Sequence, residues 1–126
     1  MTYLIPKKKP KKVKHKSISK LKKDADKIFS LWIRARDKRC VTCGSTKNLQ
    51  NGHYISRSHS STRYLEKNNN CQCLVCNIFM KGNYPAYTIY LMRKYGNGII
   101  KELERKGRET KQFTPSELEK IIKKYS

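Results

Sequence analysis

Four cysteines stand in two matching pairs, Cys40 and Cys43 in "CVTC" and Cys73 and Cys76 in "CLVC", with 29 residues between the pairs. Two such knuckles let four thiolates close a tetrahedron round a structural zinc, each knuckle giving two ligands from one tight turn. Cys71 is left over. A chelate through Cys71 and Cys73 has poorer geometry for one zinc, so Cys71 reads as an ordinary small residue. The interval is longer than a simple zinc ribbon needs, and it holds His53 in "NGHYISR". His53 is a candidate metal ligand, a core residue, or a general base. Hydrolysis of a phosphodiester needs a base for the attacking water and a cation for the charge growing on phosphate and leaving oxygen. An imidazole with a pKa near neutrality suits the first task. A hard divalent ion on few oxygen ligands suits the second. Oxygen donors lie close by in sequence: Asn68 in "EKNNNCQC" and Asn77 directly after the second knuckle. Arg57, Arg63 and Lys81 are candidates for gripping phosphates, the two arginines being equally readable as hairpin surface. His15 and His59 read as solvated surface, and Asn69 and Asn70 as loop residues, with Asn70 placed to assist.

Positioning these groups requires a frame. "SKLKKDADKIFSLWIRARD" has Leu21, Ala25, Ile28, Leu31 or Trp32, and Ala35 at helical spacing and predicts an amphipathic helix running into the first knuckle. From Lys47 to about Leu65, short alternating pieces, Gly52 and the Ser-rich "SRSHSST" predict a hairpin with a loose connection. The second knuckle opens a short helix, "LVCNIFMKG", whose first turn would set Asn77 facing the strand of His53. Pro85 and Gly96 bracket "PAYTIYLMRKYG", whose Met and Tyr residues read as core, and Gly107 closes "IIKELERKG". Thr114, Pro115 and Glu117 form a capping box that starts a last helix. The expected fold is α+β: a small core of a hairpin laid against a short helix and stapled by zinc, flanked by several helices, in one domain over residues 19–126 behind a basic disordered tail, residues 1–18.

The chain of 126 residues carries a formal net charge of +21. Lys7 to Lys23 contains ten lysines and no acid, while Asp24 onward has 20 basic and 9 acidic residues, so the folded part is basic in its own right. Such a surface binds polyanions through counterion release, with affinity that falls steeply with salt. The lysine run also resembles a nuclear-import signal, a weak match. With no apolar run of membrane-spanning length and no apolar core of a secretory signal, a cytoplasmic location is expected, and no membrane partner.

The motifs GHYIS, RYLExN, QCxxCN and KGNYxxY, in that order, resemble the HNH or ββα-metal nucleases, and more narrowly the phage NinG family, also called Rap, of recombination endonucleases. The likeness covers about Ile28 to Ser126, including "FSLWIRARDKRCVTCGS" and the closing "FTPSELEKIIKKYS". It implies a ββα-metal (HNH-like) core and a DNA endonuclease acting on branched DNA or recombination intermediates such as Holliday junctions, leaving 5′-phosphate and 3′-hydroxyl ends. By the same resemblance the cytoplasm is that of an infected host cell, or the place its nucleoid. His53 would be the general base, Asn68 the residue orienting the catalytic hairpin, and Asn77 a ligand of a catalytic Mg²⁺ or Mn²⁺, with zinc outside the chemistry. In two respects the chain departs from that pattern. Many HNH enzymes have Asp before the histidine as a second metal ligand, where this chain has Gly52; family members are often longer at the N-terminus, with additional cysteines there. The competing readings are a non-catalytic zinc-finger DNA-binding accessory and a zinc-knuckle RNA-binding protein. A homodimer would suit symmetric cutting of two strands, although no segment announces an interface.

Overall fold

The computed structural model of the protein describes residues 16–126. The expected tail therefore lies outside the described residues, apart from residues 16–18. Ser17 caps helix α1 (Ile18–Asp37), its side chain accepting from the Lys20 amide, and Lys38 ends the helix in the left-handed region at φ 65°. The buried face of α1 runs through Leu21, Ala25, Phe29 and Ile33. This stripe of every fourth residue is rotated from the predicted one: Leu31 and Ala35 are exposed, and Ile28 and Trp32 lie half-buried at its margin. Phe29 decides the phase, because its ring meets Tyr125 at 4.7 Å and Tyr64 at 5.8 Å.

The partner of α1 is the last helix of the chain. Helix α5 (Pro115–Tyr125) begins at the predicted capping box, with the Thr114 side chain accepting from the Glu117 amide and Glu117 answering to Thr114. Leu118 packs with Leu21 and Ala25, and Tyr125 with Phe29, Ile33 and Cys71. Cys71, read in the sequence as an ordinary small residue, is thus buried in the core.

Strand β1 (Leu49–His53) pairs antiparallel with β2 (Asn69–Cys73), in a register running from Leu49 opposite Cys73 to His53 opposite Asn69. The predicted hairpin was too short. Its second strand starts beyond Leu65, and the Ser-rich stretch is a connection that contains helix α2 (Ser60–Arg63) and a 3₁₀ turn (Glu66–Asn68). Asn69 and Asn70 are fully buried strand residues rather than loop. Asparagine is a poor strand former; here tertiary hydrogen bonds to side-chain amides override the propensity. Asn69 Nδ2 donates to the Leu65 carbonyl at 2.7 Å, and Asn70 Nδ2 to the Tyr87 hydroxyl at 3.1 Å.

After β2 the chain makes a single π-helical turn, Val75–Phe79, where a short helix to Gly82 was expected. Helix α3 (Tyr84–Tyr95) has Pro85 in its first turn and stops at Gly96, φ 92°. Helix α4 (Ile99–Gly107) folds against it, burying Tyr87, Leu91, Ile99 and Leu103 together. Tyr87 is buried, while Tyr90, Met92 and Tyr95 are half-buried against the same cluster, so the Met and Tyr residues of this helix are core only in part. The architecture is α+β, a two-stranded sheet held among helices. Among the described residues, no helix is long and apolar enough to cross a membrane.

Candidate functional site

The two knuckles converge. The sulfurs of Cys40, Cys43, Cys73 and Cys76 all lie within 4.8 Å of one another, three of the residues buried and Cys43 exposed. Backbone and amide donors point at the sulfurs: the Cys76 amide is 3.5 Å from Cys73 Sγ, and Asn83 Nδ2 is 3.6 Å from Cys76 Sγ. Such N–H···S contacts orient thiolate ligands and spread their charge. Burial works against the Cys40 thiolate, yet the Thr42 hydroxyl and nearby amides bring its pKa down to about 6. At Cys43 the Ser45 amide favours the thiolate, but burial and the other three sulfurs push the pKa up to about 12. Four sulfurs so close cannot all ionise without a cation, and a tetrahedral zinc is the ion this soft donor set fits.

A second site opens along β1. His53, Gln50, Asn51, Arg57, Asn77 and Asp26 line a cleft of about 220 Å³. It adjoins a wider one of about 530 Å³, where His53, Arg57 and Asn77 are joined by Lys81 and Tyr84. His53, Asn77, Arg57 and Lys81, far apart in sequence, thus share one concavity. Burial brings the His53 pKa down to about 4, against the opposing pull of the Asp26 carboxylate and the Arg63 carbonyl; the Arg63 and Arg57 charges lower it further. The ring is neutral at neutral pH and free to accept a proton. Asn77 donates through Nδ2 to Gln50 Oε1 at 2.8 Å, leaving its carbonyl oxygen for another partner.

Asn68 holds the chain just beyond the histidine. Fully buried, it accepts from the Ile55 amide at 2.7 Å and donates back to the Ile55 carbonyl at 3.0 Å and to Thr62 at 3.2 Å. From the other side Tyr87 of α3 donates its hydroxyl to the Gly52 carbonyl at 2.6 Å. The residues before and after His53 are therefore clamped, and the imidazole inherits that rigidity. Gly52 itself faces away from the cleft: a Cβ there would sit 2.1 Å from Gln72 Oε1. Gln72 is fully buried and anchored to the Gly82 carbonyl at 2.8 Å. An aspartate at position 52 would collide with it, which accounts for glycine at this position.

The remaining candidates divide. Arg57 is exposed at the cleft. Arg63 is committed to Asp26 through Nε at 3.0 Å and Nη2 at 2.5 Å, an ion pair that Tyr64 joins at 2.8 Å. His59 is exposed as expected, but its ring also donates to the Gly107 carbonyl at 3.2 Å. Asn70 faces Tyr87 and Arg36 rather than the cleft residues. Asp26, Gln50 and Asn51 are cleft residues that went unread in the sequence. Asp26 sits on a helix predicted for its apolar side alone. Gln50 and Asn51 carried the one available signal, their place within three residues of His53 in a predicted strand. Val75, Ile78, Phe79, Met80 and Tyr84 are large apolar side chains exposed to solvent, Phe79 at 74%, and of these Ile78 and Tyr84 line the wider cleft.

Fold and sites together define a small α+β domain with four clustered cysteines that could hold a metal ion and a cleft that contains a histidine. The family described as Bacteriophage Lambda NinG protein matches residues 6–126, so the chain belongs to the NinG family. Protein ninG of Escherichia phage 933W is 31% identical over 108 residues, covering 82% of this chain and 53% of that protein. Those of Salmonella phage P22 and Escherichia phage lambda are each 32% identical over 87 residues, 65% of this chain and 43% of theirs. The chain thus spans about half the length of these curated relatives, or less. No solved structure matches.

Proposed function

We propose that the protein is a metal-dependent DNA endonuclease of the HNH type. The observation that carries this reading is one cleft holding a clamped, neutral imidazole, an amide oxygen donor and two exposed cations, in a chain of net charge +21. Arg57 and Lys81 draw the phosphate backbone into the cleft. His53 takes the proton of the attacking water, the phosphate–oxygen bond breaks on the opposite side, and Asn68 keeps the imidazole aimed through its hold on Ile55. The cleft offers neutral amide oxygens, its one carboxylate, Asp26, being engaged by Arg63 and Tyr64. Such donors fit Mg²⁺ or Mn²⁺ weakly, with Asn77 as a protein ligand and DNA phosphate completing the shell. When bound, the ion supplies positive charge to the transition state and the leaving oxygen. Zinc on the four cysteines keeps the knuckle turn, and with it Asn77, beside β1.

For substrate we favour branched over linear DNA. Ile78 and Tyr84 line the same cleft and the exposed Phe79 follows Ile78 in the chain; aromatic side chains such as Phe79 and Tyr84 gain by stacking on unpaired bases, which an intact duplex does not offer. The test is cleavage of linear, forked and four-way-junction DNA by zinc-loaded protein in Mg²⁺ or Mn²⁺, beside His53→Ala. The reading holds if wild type cuts while the variant binds equally and does not cut. If both bind and neither cuts, the protein is a zinc-stapled DNA-binding module.

A further inference from the structure

We infer that Asn51 is a second protein ligand of the catalytic divalent cation, through its side-chain oxygen; this rests on the nuclease reading of the cleft. The orientation of Asn51 follows from its neighbour Asn69. The Asn69 amide is fully buried, with Nδ2 facing the carbonyls of Leu65 at 2.7 Å, Arg63 at 3.2 Å and Thr62 at 3.5 Å. Reversing that amide would press oxygen against three carbonyl oxygens, so Asn69 Oδ1 must be an acceptor. Asn51 answers it with Nδ2 at 2.9 Å. Asn51 Oδ1 is thereby fixed on the other arm of its amide, and it is buried without a hydrogen-bond partner.

Buried polar atoms are almost always paired, and a carbonyl oxygen locked in this way is a ready ligand for a hard cation. Among the described residues Gln72 Oε1 shares this state, but it lies against Gly52 and Gln72 lines neither cleft. Residues 51 and 53 point to one face of a strand and residue 52 to the other. Asn51 accordingly lines both clefts with His53 and Asn77. Position 52, closed by Gln72, cannot supply a ligand, and its strand neighbour two residues before the histidine is placed to do so.

The test is an electron-paramagnetic titration of Mn²⁺ into zinc-loaded full chain on junction DNA, in a His53→Ala background so that the DNA stays intact, with the DNA-only signal subtracted. Asn51→Ala should weaken the bound Mn²⁺ at least tenfold. Asn51→Asp should tighten it by about as much, although the carboxylate can no longer donate to Asn69. A purely structural Asn51 predicts loss in both variants, so weaker Mn²⁺ binding by the aspartate variant overturns the proposal. Unchanged affinity in both, with Asn77→Ala abolishing binding, removes Asn51 and leaves the nuclease site standing. If the parent binds no more Mn²⁺ than DNA alone, both readings fall.

Discussion

Asn68 is the residue on which the histidine strand most depends, and its replacement by alanine has a magnitude that can be worked from the geometry. The change deletes three hydrogen bonds, to the Ile55 amide, the Ile55 carbonyl and the Thr62 carbonyl, at a site where Asn68 is fully buried. Each is worth about 1 kcal/mol net, and the backbone groups left buried and unpaired add about 1–3 kcal/mol apiece where water cannot reach them. A loss of about 3–5 kcal/mol follows, allowing for partial relaxation. Urea denaturation of zinc-saturated protein measures it, followed through Trp32, the single tryptophan, whose ring lies 4.9 Å from Tyr125 at the α1–α5 contact. Amide hydrogen exchange supplies the local readout, since the Ile55 N–H should lose protection more than the helix amides. Asn68→Asp should be no better at neutral pH: it restores the acceptor for Ile55 but sets a carboxylate against two carbonyls. A loss below about 1 kcal/mol, with Ile55 protection unchanged, would refute the clamp.

Four further outcomes are expected. Chelation of zinc, or Cys76→Ser, should unfold the β2–knuckle region, because structural zinc supplies on the order of 10 kcal/mol in small domains; circular dichroism during a chelator titration checks it, and retained structure counts against a zinc-dependent fold. Gly52→Ala should destabilise by displacing Gln72 from Gly82, and Gly52→Ala with Gln72→Ala should recover part of the loss, which a double-mutant cycle in urea reads directly. With the His53 pKa held down to about 4, protonation disarms the base only as pH falls through that value, so cleavage should not decline from pH 8 to 6; an acid limb near 6.5 in kcat/KM would show an ordinary exposed imidazole. Phe79→Ala should lower affinity for four-way junctions several-fold while leaving linear duplex binding unchanged, measured by gel shift at fixed salt.

The sequence by itself determined what chemistry fixes locally. The cysteine spacing dictated the four-sulfur cluster, because a tight turn can offer two sulfurs to one ion whatever surrounds it. The Thr114–Glu117 box and the Gly96 stop set helix ends through contacts three or four residues long. Asn77 was legible because it directly follows the second knuckle, and His53 because it stands in the long interval between the two. What required the tertiary structure was every decision made across distance. The burial phase of α1 depends on Tyr125, far along the chain, and the partner of β1 was hidden because asparagines normally avoid strands; carbonyls of the connecting segment and the Tyr87 hydroxyl satisfy their amides. Asp26 and Asn51 enter the cleft through a helix packed on a strand and through the orientation of Asn69. Gly52 reads in the sequence as a lost metal ligand. In the fold it is the space that Gln72 occupies, while the face of β1 turned to the cleft carries Asn51 and His53.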